Sequence, residues 1–151
     1  MKMFDITVEN VMCDHPIKVR DNILLGSVAH LLLRHQINGV LVVKSNDENK
    51  LVGIITTTDL LRLINNALNT RTQRLNALKK IGLAKVGEVA SKKIISLQKN
   101  DSIMKAIILM HRKNIHTIPI YAKINLSVSS VNMMCSIGHW FNPGIRGKGA
   151  I

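Results

Sequence analysis

The residues best equipped for chemistry in this chain sit together, as Thr56-Thr57-Thr58-Asp59, directly after the apolar run Leu51-Val52-Gly53-Ile54-Ile55. A strand handing over to a helix at this point gathers hydroxyls, a carboxylate and the unpaired N–H groups of a first helical turn. Such a group holds polar, hydroxyl-bearing or anionic partners. It equally serves as a helix cap, and the residue types alone leave both roles open. The other reactive residues are scattered. His30/His35 and His111/His116 are each five apart and have no neighbouring thiol or carboxylate, which is not metal-ligand spacing. No Ser stands in a Gly-x-Ser-x-Gly elbow. Of only nine acids, Asp47 and Glu48 fall in a turn, so a catalytic carboxylate pair is not supplied. Gly53 stands alone and makes no phosphate-binding loop. The pattern is that of a binding protein, not an enzyme, with no metal centre and no required cofactor.

Charge is unevenly spread. Residues 1–60 carry six Lys/Arg against seven Asp/Glu, whereas residues 61–151 carry fifteen against two. The second half therefore attracts phosphates, acidic proteins or anionic surfaces without naming which. Only four aromatics are present (Phe4, Tyr121, Trp140 and Phe141), a poor supply for stacking single-stranded nucleic acid. The run Arg71, Arg74, Lys79, Lys80 and Lys85 reads as a solvated helix face. At 46% hydrophobic residues the chain can bury a core. No apolar run reaches the ~20 residues of a membrane span, and Met1 to Asp5 lacks a signal-peptide core. Cys13 and Cys135 form no CxxC motif, which suits a reducing compartment. These features predict a cytoplasmic protein.

The elements that position the Thr/Asp group emerge from an internal repeat. At an offset of 78 residues, Val8–Val43 aligns without a gap on Val86–Tyr121. Val8, Val11, Ile17, Asn22, Arg34 and Ile37 meet identical residues at Val86, Val89, Ile95, Asn100, Arg112 and Ile115. Each copy opens with a short strand, Ile17-Lys18-Val19 or Ile95-Ser96-Leu97. A helix follows, with Asp21/Asn22 or Asn100/Asp101 as its expected caps. Leu25, Val28, Ala29 and Leu32 recur as Ile103, Ala106, Ile107 and Met110, one apolar helix face in each copy. The next strand is Val40–Val43 or Ile118–Tyr121. In the first copy a polar turn at 45–49 predicts a hairpin to Leu51–Ile55. The caps at 56–59 then predict a helix from Leu60 to about Gly82, with a break around 65–72.

These pieces, in this order, resemble the CBS motif. The resemblance rests on Val11-Met12, Pro16-Ile17-Lys18-Val19, Ile37-Asn38-Gly39-Val40 and the segment from Leu51 to Leu60. In the second copy it rests on Ile115-His116-Thr117-Ile118-Pro119-Ile120. The first copy departs from the family in having Leu41 where a proline is frequent. The implied fold is α/β: two β-α-β-β-α units forming one pseudo-twofold module. Residues 8–64 make the first motif, 65–85 a linking helical region, 86–122 an incomplete second motif and 123–151 an atypical, partly disordered tail.

The resemblance also implies a role. In the family the Asp position holds ribose hydroxyls, the Thr position assists with ribose or phosphate, and apolar strands sandwich adenine. Here that assigns Asp59 and Thr56 to the sugar and Ile17, Val19, Val40 and Ile54 to the adenine walls, with Lys18 reaching a phosphate. Adding the offset to Gly53, Thr56 and Asp59 gives Val131, Met134 and Ile137, and no acid follows Asp101. The second site is expected to be incomplete, its tail being either an alternative end or a shifted reading frame. The implied function is a non-enzymatic regulatory module. It binds AMP, ADP, ATP or S-adenosylmethionine as a regulatory ligand and relays it to an unidentified partner protein. The basic second half tilts the choice toward polyphosphates, and the apolar helix faces suit a homodimer. The rival readings are a basic module docking protein or nucleic acid, and a degenerate structural dimer without ligand.

Overall fold

The computed structural model describes residues 6–13, 15–69, 73–121 and 131–134. After a short 3-10 turn at Val8–Asn10 comes β1 (Met12–Cys13), then β2 (Lys18–Arg20), α1 (Leu25–Arg34), β3 (Gly39–Lys44) and β4 (Asp47–Thr56). Helices α2 (Thr57–Leu68) and α3 (Arg74–Leu83) follow, leading to the one-turn helix α4 (Val86–Val89). The second copy continues with β5 (Leu97–Gln98), α5 (Ile103–Lys113), β6 (Ile118–Tyr121) and β7 (Val131–Met134).

In the first copy β2 and β3 run parallel, as a crossover helix requires, and β3 and β4 form an antiparallel hairpin. The hairpin turn is tighter than the polar cluster suggests. Lys44 already pairs with Asp47, leaving Ser45 and Asn46 as the connection. Helix α1 lays Leu25, Val28 and Leu32 against Val40, Val42 and Ile55, all buried. Each such side chain contributes about 1.5–3 kcal/mol of burial free energy. The second copy repeats the arrangement, with Ala106 and Met110 of α5 packed on Ile118, Ile120 and Leu97.

The two copies exchange their opening segments. Val86 and Ala90 belong to the first core, whereas Val8 belongs to the second. The exchange is symmetric at the 78-residue offset. Val86 N–H donates to the Ile23 carbonyl and Val8 N–H to that of Asp101, each at 2.8 Å. Gly87 N–H donates to Asp21 (2.9 Å) and Glu9 N–H to Lys99 (3.1 Å). The exchange also relocates the helix caps. The first-turn N–H of Leu25 is taken by the Ala84 carbonyl (2.8 Å) and that of Ile103 by Ile6 (2.9 Å). The expected caps are therefore corrected. The N-cap of α1 is Leu24, with no side-chain bond, and that of α5 is Ser102, whose Oγ accepts from Lys105 N–H at 3.2 Å. Asp21 turns instead to Lys44 Nζ (3.0 Å) and Ser45 N–H (3.0 Å). Asp101 accepts from Lys105 Nζ (2.7 Å) and Gln98 N–H (2.8 Å). The lysine in each case holds the carboxyl below its ordinary pKa range.

Part of the segment read as an atypical tail joins the second sheet. β7 pairs antiparallel with β6 and with β1, giving the order β1-β7-β6-β5. Asn132 faces Ile120 as Gly53 faces Val42, so the repeat here advances by one residue beyond the offset of 78. The positions equivalent to Gly53, Thr56 and Asp59 become Asn132, Cys135 and Gly138, in place of Val131, Met134 and Ile137. No carboxylate is gained by the correction. Cys135, Gly138 and the tail from Asn142 lie outside the described residues, as does the question of the chain's alternative end.

Candidate functional site

β4 delivers Thr56 to the N-cap of α2, and the side chains that follow close a reciprocal capping box. The Thr56 N–H and hydroxyl donate to Asp59 Oδ2 at 3.0 and 2.7 Å, and Asp59 N–H donates to Thr56 Oγ1 at 3.2 Å. The capping role of this pair is thus present in the fold. Among the described residues it leaves Asp59 Oδ1 with an Arg62 guanidinium at 3.4 Å, on an arginine largely exposed to solvent. The cap consumes one carboxylate oxygen and leaves the other outside the box, on a residue that lines a cleft.

That cleft lies between the copies. Its first-copy wall is Asn38, Ile54, Thr56, Asp59 and Arg62; its second-copy wall includes Ser91, Lys93, Ile95, His116, Thr117 and Pro119. Its space is about 720 Å³ when the solvent-open mouth is included. The walls meet because Ile54 and Ser91 pair backbone to backbone, Ile54 N–H to Ser91 O at 3.1 Å and Ser91 N–H to Ile54 O at 2.8 Å. Gly53 permits this approach. A Cβ there would lie 2.8 Å from the Ser91 carbonyl oxygen and 3.0 Å from Ala90 Cβ.

Of the seven ligand-binding residues expected from sequence, Ile54, Thr56 and Asp59 come together here. Ile17, Lys18, Val19 and Val40 are not among the residues that line this cleft. β2 lies on the far side of β3 from β4, with Lys18 paired to Leu41 and Leu41 to Ile54. Val40 is fully buried in the first core and Val19 packs against that core. The exchange of opening segments brings their counterpart in the second copy, Ile95, to the cleft instead of Ile17. Arg62, Lys93, His116 and Pro119 also line it, and none of them was among the ligand-binding residues expected from sequence. The repeat offset carried the signal for Ile95, but nothing in the periodicity says that the two copies trade partners.

Among the described residues no group of three His, Cys, Asp or Glu could hold a metal ion. No helix among them is long and apolar enough to cross a membrane.

Two parallel-crossover units, exchanged about a pseudo-twofold axis with a polar strand–helix junction facing the cleft, define a tandem-motif module. The CBS domain model matches residues 8–66 and 86–125, about two-thirds of the sequence, and the chain belongs to the CBS domain family. Its fold is that of a CBS domain pair, or Bateman module. It is similar to the CBS domain pair of protein MJ0100, solved in complex with 5'-methylthioadenosine and S-adenosyl-L-methionine, at 23% identity and a TM-score of 0.64 over 90% of this chain and 95% of that one. It is also similar to CBSX2, solved in complex with AMP, at 19% identity and a TM-score of 0.65 over 87% and 90% of the two chains. Among curated sequences it matches a homoserine O-acetyltransferase of Methanocorpusculum labreanum, 25% identical over 76% of this chain. The chain spans about a fifth of the length of the curated relatives it matches.

Proposed function

We propose that this chain is a non-catalytic sensor that binds one adenosine nucleotide or S-adenosyl compound in the cleft between its two motifs. The observation that carries the reading is that the Thr56–Asp59 junction of the first motif lines one open cleft together with Ile95 and Pro119 of the second. Asp59 Oδ1 is the natural acceptor for ribose hydroxyls, since Oδ2 is spent on Thr56. Ile54, Ile95, Ile115 and Pro119 offer apolar surface to a base. Similar CBS pairs are described in complex with AMP and with S-adenosyl-L-methionine, which supports adenosine as the common element. A ligand seated here touches both motifs at once. It therefore favours whichever relative pose fits it best, and that shift alters the surface offered to a regulated protein. We further propose that the module acts as a homodimer through helix faces left apolar in the single chain.

The test is thermal unfolding of the purified chain with and without millimolar AMP, ATP and S-adenosylmethionine, repeated on Asp59→Ala. Ligand at about 100 times its dissociation constant adds roughly 2.7 kcal/mol to the native state. That raises the midpoint by several degrees. The expected result is a rise with at least one compound that disappears in Asp59→Ala. A folded wild-type chain that none of the three compounds stabilises would refute the assignment.

A further inference from the structure

The basic run of the linking region is more than the solvated helix face its charges suggest. Between Asp59 and Glu88 the chain holds six Lys/Arg and no acid. Helix α3 lies in this stretch and packs on α1 and α2. Its Ala77, Leu78, Ile81 and Gly82 are half-buried, with Ile81 against the first core. The helical period gathers Leu75, Asn76, Lys79, Lys80 and Leu83 on the opposite side, and all five are exposed. Leu75 and Leu83 stand 69% and 68% open to solvent, so this ridge projects apolar side chains outward among its lysines. The ridge continues onto α1, because Lys85 pairs backbone to backbone with Leu24, and Ile23 and Leu24 are both exposed. Among the described residues no ion pair involves Lys79, Lys80 or Lys85. We propose that this ridge docks the chain on an anionic membrane surface, with its lysines among the headgroups and Leu75 and Leu83 at the acyl boundary.

Several polyanions would answer the charge, and the leucines choose between them. Against nucleic acid the lysines would meet phosphates, but two projecting leucines would gain nothing. Interfaces between proteins are enriched in aromatics and arginine and depleted in lysine. This ridge has lysine and no aromatic. A lipid surface uses both residue types. Leucines enter the boundary of the acyl region, and lysine stems reach back to place their ammonium groups at the headgroups. Leu75, Lys79 and Leu83 follow one another at four-residue steps, a stripe about 12 Å long that can lie flat on such a plane. No helix among the described residues can cross a bilayer, so the attachment is peripheral.

The whole chain carries a net charge of +12, so attraction to anionic vesicles does not by itself identify the ridge. Co-sedimentation of the full chain with vesicles of roughly three parts phosphatidylcholine to one part phosphatidylserine measures the affinity. The expected result is binding about tenfold or more tighter than to pure phosphatidylcholine, weakening as salt rises. Leu75→Gln with Leu83→Gln, and separately Lys79→Gln with Lys80→Gln, should each lower the affinity about tenfold. Lys92→Gln with Lys113→Gln removes the same charge off the ridge and should cost no more than about twofold. None of these six side chains belongs to a core cluster, so circular dichroism should match wild type. A wild-type chain that does not bind overturns the proposal. So does a leucine pair whose replacement changes nothing, or an off-ridge pair as costly as Lys79 and Lys80. Binding to duplex DNA or polyglutamate that matches the vesicles and ignores the leucines assigns the ridge to another polyanion, and overturns it as well.

Discussion

At the scale of single residues, the fold places unlike side chains in the same backbone role, and the difference has a measurable consequence. Helices α1 and α5 are both followed by a left-handed residue, Gln36 with φ of 52° and Asn114 with φ of 50°, one repeat offset apart. Asparagine tolerates that conformation, and glycine adopts it without a Cβ penalty. Glutamine has neither advantage, and at position 36 it is exposed. Gln36→Gly should therefore stabilise the chain by about 0.5–1 kcal/mol. The same change at Asn114 should gain less, because asparagine already accommodates the turn. Urea denaturation of both variants reads the difference. A Gln36→Gly variant no more stable than wild type would mean that the glutamine side chain holds the turn in a way its exposure does not suggest.

At the scale of elements, the decisive contact is the crossing of β4 with the opening of the second motif, because it builds the cleft. Gly53 sits where that crossing is tightest. A methyl group 2.8 Å from the Ser91 carbonyl must displace backbone, and backbone on both sides is tied by paired hydrogen bonds. Gly53→Ala should cost about 1–3 kcal/mol, the range for overpacking a rigid contact. It should also weaken any ligand response by parting the two walls. Thermal unfolding with and without nucleotide measures both, and an unchanged midpoint would show the crossing to be soft. This element also marks how far the sequence could be read. Periodicity placed α1, α5 and the β3–β4 hairpin, because one buried face leaves a regular trace of Leu, Val and Ile. The Thr56–Asp59 junction was legible because capping demands those residue types locally. The exchange of opening segments was not, since Val8 and Val86 would be buried whichever core received them. Hence the sequence pointed to Ile17, Lys18 and Val19, whereas the cleft beside Thr56 and Asp59 is lined by Ile95 and Lys93 of the second copy. Likewise β7 left little trace, as four residues in a polar stretch set no period.

At the scale of the whole molecule, the helices keep apolar surface that the single chain does not use. Leu61, Ile64 and Leu68 recur on one stripe of α2, at 67%, 40% and 43% exposure, and Leu33 on the neighbouring α1 is 73% exposed. None of these four side chains lines the cleft, and a face this apolar is suited to a copy of itself. A twofold interface pairs the same patch on both partners, so each leucine removed from water in one chain is matched by one in the other. Stable dimers of this kind bury roughly 1,200 Å² or more in total, which requires α1 and α2 to take part together. The chain should therefore sediment as a dimer at micromolar concentration. Leu61→Glu combined with Leu68→Glu should convert it to a monomer, because each dimer would then bury four carboxylates with no partner. Neither position belongs to a buried core cluster, so circular dichroism should stay as in wild type. A wild-type chain that sediments as a monomer at tens of micromolar would refute the dimer and leave the exposed stripe to another protein. A dimer unaffected by the double substitution would move the interface to α3 or α5, where Leu75, Leu83 and Ile108 are also exposed.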